Sequence, residues 1–148
     1  MISREQLRRW RHLSKSEFHF SEDWRTRYSS DLDQHLRYAG VRDSDLAIQI
    51  ATARARGIRL AGGSRSAVLP GIPLKDQLAS ATQDFTWAKA RLAKDPVYFV
   101  LNACRILALI KTKRILSKDE GVRWALKRVP LEHRPVLRWA RDVYRGRG

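Results

Sequence analysis

From Leu74 onward the apolar positions keep a strict helical rhythm. Leu74, Leu78, Ala81, Phe85, Ala88 and Leu92 are spaced by four and three residues in turn, which lays one stripe along a helix. Residues 97–110 break that amphipathic pattern, because nearly all of them are apolar. Asp95 and Pro96 suit the cap and first turn of a helix that starts there. A segment apolar on almost every side belongs at the centre of a bundle, so a buried helix is predicted over about 96–111. Ser117 and Glu120 form the capping-box pattern ahead of Val122, Ala125 and Val129, and Pro130 closes that helix. Pro135 opens a last helix with Leu137, Ala140 and Tyr144 facing in.

The N-terminal half is less regular. Ser3 and Gln6 predict a capped helix over residues 3–13, with Leu7 and Trp10 on one face. EFHF at 17–20 alternates polar and apolar, the pattern of a short extended segment. It has no second strand to pair with in a chain that otherwise reads as helical. Ser21 caps a helix beginning SEDWRTRYSS and running toward Tyr38, and Asp43 or Ser44 starts another, with Leu46, Ile50 and Ala53 on its stripe and Gly57 as its stop. Residues 57–73 are rich in Gly and Pro and read as an irregular connection. The expected fold is all-α: a helical bundle around a buried central helix at about 96–111, with a short extended segment near 17–20.

Composition narrows the partners. The 148 residues suffice for one domain with a real core. Lys and Arg number 30 against 15 acids, a net charge of +15 that favours anionic partners. The charge is uneven: residues 17–45 hold seven acids and four Arg, whereas residues 123–148 hold eight Lys or Arg and two acids. The lone Cys104 cannot form an internal disulfide, which suits a reducing compartment. The start MISREQLRRW lacks the apolar core of a signal peptide. No apolar run approaches the ~20 residues needed to span a bilayer. A cytoplasmic protein with no membrane partner is the expectation.

Specific chemistry is sparse. Four His (His12, His19, His35, His133) show no metal-ligand spacing, and no metal site is expected. The phosphate-loop pattern G-x-x-x-x-G-K-[ST], the nucleophile elbow G-x-S-x-G and the kinase signatures are missing. Trp24, Trp87, Trp124 and Trp139 read as core candidates. Asn102 and Arg105 are the anomaly: three residues apart, they share a face of the most apolar helix. A buried guanidinium must find a partner. Either it forms an ion pair with an acid such as Asp84 or Glu120, or it points into a cleft toward a phosphate. Lys118, in the first turn of its helix, opposes the helix dipole unless an anion also sits there.

The pieces EFHFSEDW, DPVYFVLNACRILA, ILSKDEGVRWAL and RPVLRWARDVY, in that order and spacing, resemble the C-terminal half of the streptomycin and spectinomycin adenylyltransferases, over roughly Trp10 to Tyr144. The resemblance implies a helical domain over 21–148 preceded, at 1–20, by the remnant of an interdomain linker and strand. In that family a cleft between two halves transfers AMP from ATP to an aminoglycoside hydroxyl, conferring antibiotic resistance. By resemblance Arg105, Lys118 and Tyr144 face the nucleotide, and Glu22, Trp24, Trp87 and Asp95 face the aminoglycoside. ATP and magnesium are the implied cofactors, and the carboxylates that hold magnesium lie in the family's N-terminal domain. Gly63-Ser64 is followed here by RSAVLPG, and Asp31-Leu-Asp33 has no preceding Gly-Ser, so no residue of this chain is a catalytic candidate. The expectation is a chain inactive alone and complemented by a separate nucleotidyltransferase domain. The alternative is a basic helical module for nucleic acid or an acidic protein, resting on the +15 charge and the Arg-rich last helix.

Overall fold

The computed structural model describes residues 3–15, 22–31, 33 and 42–147; within them the side chains of Glu22, Asp23, Trp24 and Arg27 lie outside the description. The described residues are all-α: helices dominate and no strand is formed. The extended segment expected at 17–20 lies outside the described residues, as does the stretch toward Tyr38. Just before the former, Lys15 forms an isolated antiparallel bridge with Arg42.

The backbone divides into two compact units, residues 1–76 and 77–148. In the first, α1 is Arg4–Arg8, opened by the expected capping box: the Ser3 hydroxyl accepts from the Gln6 N–H at 3.2 Å, and the Ser3 N–H donates to Gln6 Oε1 at 3.1 Å. The helix stops well short of residue 13. Leu13 is left-handed (φ 60°), and the Trp10 indole leaves the helical path to donate to Asp76 Oδ2 at 3.1 Å. Glu22–Ser30 forms α2 and Leu46–Arg56 forms α3. Leu46, Ala47, Ile50 and Ala51 are the buried face of α3, so Ala51 takes the place expected of Ala53. The connection at 57–73 is not wholly irregular. Ser64 caps a single helical turn, Arg65–Val68 (α4). Arg65 then donates to the carbonyls of Ala55 and Gly57 at 3.1 and 2.8 Å, satisfying groups that the end of α3 leaves open.

The second unit holds most of Leu74–Ala90 (α5), then Pro96–Thr112 (α6), Lys118–Leu126 (α7), a 3₁₀ turn at Leu131–His133, and Arg134–Tyr144 (α8). The caps act as their residue types dictate. Asp95 Oδ1 accepts from the Tyr98 N–H at 3.0 Å, and the Ser117–Glu120 box closes at 3.2 and 2.8 Å. Leu101 and Cys104 of α6, Val122 and Ala125 of α7, and Leu137 and Ala140 of α8 form one buried cluster, with Val97, Val100, Trp124, Leu126 and Val129 packed around it. Inward assignments on α6 and α8 need correction. Leu107 and Ile110 leave α6 exposed along one edge, so the central helix is not covered on all sides, and Tyr144 is 51% exposed, because the buried stripe of α8 ends at Ala140. Among the described residues no helix is long and apolar enough to cross a membrane.

Candidate functional site

On α6, Tyr98, Asn102 and Arg105 stand at i, i+4 and i+7, one helical stripe. Asn102 is 1% exposed, and both ends of its amide are used. Its Nδ2 donates to Asp84 Oδ2 on α5 at 2.8 Å, and its Oδ1 accepts from a terminal nitrogen of Arg105 at 2.6 Å. The other Asp84 oxygen accepts from the Tyr98 hydroxyl at 3.1 Å. The guanidinium therefore meets Asp84 through the amide of Asn102 and not as a direct ion pair, and the Glu120 carboxylate accepts from the Ser117 N–H in its capping box. Arg105 Nε is buried and has no hydrogen-bond partner among the described residues. A buried, unmet donor is costly, and an anion would relieve it.

The stem of Arg105 passes against α7 at Gly121. A Cβ at that position would lie 2.9 Å from Arg105 Cγ and 3.1 Å from its backbone nitrogen. Only a glycine lets the two helices come so close, and this approach brings the first turn of α7 to the same place. Lys118 sits in that turn with its Nζ 4.7 Å from the centre of the Tyr98 ring and 5.5 Å from that of Tyr144. Both rings attract the ammonium through their π faces. Burial, and then the charge of Arg105, hold the Lys118 pKa below the ordinary 10.5, against the opposing pull of Asp95 and Asp84. Two cations thus share one partly dry place at a helix start, an arrangement that suits phosphate oxygens.

The remaining candidates surround this centre unevenly. Asp95 is exposed and caps α6. Trp87 is not a core residue: it is 53% exposed, edge-on to Tyr98 at 5.9 Å, with Arg91 lying 4.7 Å over its face. Trp139 is also exposed, and Trp124 is half-buried beneath Arg128. The side chains of Glu22 and Trp24 lie outside the described residues. Sequence reasoning missed Tyr98 and Gly121. The first was legible as a third member of the Asn102–Arg105 stripe, the second as a glycine inside a helix, where close approach is the usual reason for one. Behind the site, Asp119 gathers Arg141, Arg145 and Arg123 at 2.8, 2.7 and 3.0 Å. The hydrogen bond from Arg141, more than that from Arg145, holds the carboxyl below its ordinary value. In the first unit a separate cavity of about 570 Å³ is lined by Arg9, Arg11, His12, Lys15 and Arg42 among others.

The helical bundle thus brings an arginine fork, a helix-start lysine and two tyrosines together. The family is shown by comparison. Residues 67–148 match the aminoglycoside adenylyltransferase C-terminal domain, and the chain belongs to that family. The spectinomycin 9-adenylyltransferase of Staphylococcus aureus is 31% identical over 146 residues, covering 99% of this chain and 55% of that protein. The aminoglycoside (3'') (9) adenylyltransferase of Klebsiella pneumoniae is 30% identical over 139 residues, 93% of this chain and 52% of its own length. The crystal structure of the spectinomycin adenyltransferase AAD(9) from Enterococcus faecialis, solved with ATP and spectinomycin, superimposes with a TM-score of 0.81 at 25% identity, covering 99% of this chain and 58% of that one. The chain therefore spans about half the length of the relatives it matches.

Proposed function

We propose that this chain is the helical nucleotide- and substrate-binding half of an aminoglycoside nucleotidyltransferase, one wall of a site that moves AMP from ATP to a drug hydroxyl. The observation that carries the reading is the meeting of Arg105 and Lys118 beside Tyr98 and Tyr144. Arg105 supplies a fork and Lys118 a point charge for polyphosphate oxygens, while Tyr144 packs beside the nucleotide. Asp95, Trp87, Glu22 and Trp24 form the drug side, where carboxylates and aromatic faces suit a polycation.

Magnesium does not fit this chain by itself. Among the described residues no three His, Cys, Asp or Glu side chains gather into a group that could hold a metal ion. On this reading the metal and its carboxylates belong to a separate nucleotidyltransferase domain, and the chain alone binds ATP without turning it over. The nucleic-acid alternative rests on the net charge of +15. It is weakened by the commitment of Arg141 and Arg145, the inner cations of the Arg-rich end, to Asp119.

The test combines the purified chain with a nucleotidyltransferase domain that carries the family's paired carboxylates and follows ATP-dependent adenylylation of spectinomycin and streptomycin. The expected result is turnover by the mixture and none by the chain alone. Turnover by the chain alone would contradict the division of labour. A mixture that neither turns over nor binds ATP would overturn the reading, and tight, steeply salt-dependent capture of DNA or RNA would favour the alternative.

A further inference from the structure

The carboxylate nearest in the hydrogen-bond chain does not neutralise Arg105, and the side chain in between is an amide. We infer that Asn102 is a positioning residue, a neutral spacer that fixes the Arg105 guanidinium and keeps Asp84 from pairing directly with it, so that the guanidinium faces the polyphosphate without a carboxylate bound to it. The inference rests on the nucleotide-site reading above.

The chemistry of each link sets the direction of the chain. An ionised Asp84 only accepts, so the amide end that meets it at 2.8 Å must be the donor, Nδ2. The oxygen of the same amide is thereby turned toward Arg105, which donates to it at 2.6 Å. Asp84 is itself held on its other oxygen by the Tyr98 hydroxyl at 3.1 Å. Asn102, at 1% exposure, has no water-facing alternative. An apolar and a charged side chain fail differently at this position. A leucine would strand Asp84 and Arg105 without their shared partner. An aspartate would place a charge directly on the guanidinium and a second carboxylate against Asp84. An amide joins an acceptor-only group to a donor-only group and carries no charge of its own. The unmet Nε–H of Arg105 is the complement: one side of the fork is tied down by Asn102, and another donor is buried without a partner.

The decisive variant is the exchange Asp84→Asn with Asn102→Asp. It preserves side-chain size and every hydrogen bond of the chain. The amide now on α5 would accept from Tyr98 and donate to the carboxylate now on α6, so only the charge moves, from the far end onto Arg105. Titration of tripolyphosphate into the wild-type and exchanged proteins should show affinity weaker by about tenfold or more in the exchange, with the thermal midpoint held. Equal affinity in a folded exchange variant would overturn the spacer role. The second readout needs no ligand. In ¹⁵N spectra the guanidinium of Arg105 should give separate, slowly rotating terminal N–H signals in the wild type and averaged ones in Asn102→Ala; a guanidinium equally fixed in both overturns the positioning role, even if the exchange variant fails to fold. If the wild type does not take up tripolyphosphate, the nucleotide-site reading fails, and the guanidinium spectra still decide whether Asn102 positions Arg105.

Discussion

Replacing Gly121 by Ala probes the contact on which the candidate site is built. The added methyl would meet Arg105 Cγ at 2.9 Å, its N at 3.1 Å and its Cα at 3.2 Å. Ordinary contact needs about 3.4 Å, so the helices must part by about 0.5 Å. Two of those three atoms are backbone in the middle of α6, so no side-chain rotation relieves the clash. Overpacking of this kind costs about 1–3 kcal/mol. Alanine in place of glycine inside a helix returns up to about 1 kcal/mol. The net expectation is a loss of about 1–2 kcal/mol, a fall of roughly 2–8 °C in Tm for a chain of this size. The same displacement moves Arg105 relative to Lys118, so tripolyphosphate affinity should fall with it. Calorimetric melting and titration of one sample read both effects. A Tm higher than that of the wild type by a few degrees, with affinity unchanged, would mean that helix propensity acts unopposed, and the close approach of α6 and α7 would be refuted.

Three further outcomes follow from groups around the site. Burial pushes the Cys104 thiol from 9.0 up to about 11, which cuts its thiolate fraction at pH 8 about 100-fold, so a disulfide reagent should label it far more slowly in the native protein than in urea. Asp119→Asn should cost about 1–3 kcal/mol at neutral pH by weakening the bonds from Arg141, Arg145 and Arg123. Because the folded-state pKa of Asp119 is depressed, its contribution is full above the ordinary 3.8 and is lost as pH falls through the lower folded value, so urea melts of wild type and variant should converge in acid. The folded-state pKa of Lys118 is depressed too, so tripolyphosphate binding should begin to weaken at a pH below the ordinary 10.5, and Lys118→Arg, charged throughout, should abolish that alkaline loss while binding at neutral pH.

The elements best read in advance were those with local signals. Asp95-Pro96 and the Ser117–Glu120 box mark where α6 and α7 begin, because a cap is a contact between residues three apart. Arg105 and Asn102 were legible as neighbours for the same reason. Asp84 was one of two acids open as the partner of Arg105, with Glu120; whether it meets the guanidinium or the amide depends on how α5 and α6 pack, and it meets the amide. The early end of α1 is likewise tertiary, since the Trp10 indole answers to Asp76 rather than to its own helix. Tyr144 matched the inward stripe of α8 by spacing alone and lies beyond the point where that stripe is covered, with Lys118 over its ring. Trp87 was read as core because aromatic residues at helical spacing usually are; here an arginine and a tyrosine edge cover part of an exposed ring.

The claim that Arg105 and Lys118 together receive a polyphosphate is tested most directly by titrating ATP into the isotope-labelled chain and following its side-chain and backbone resonances. Saturable shifts should centre on Arg105, Lys118, Tyr98 and Tyr144 and vanish in the Arg105→Met, Lys118→Met double variant. Shifts confined to the basic cavity around Arg9, Lys15 and Arg42, or a double variant that binds as well as the wild type, would contradict the account.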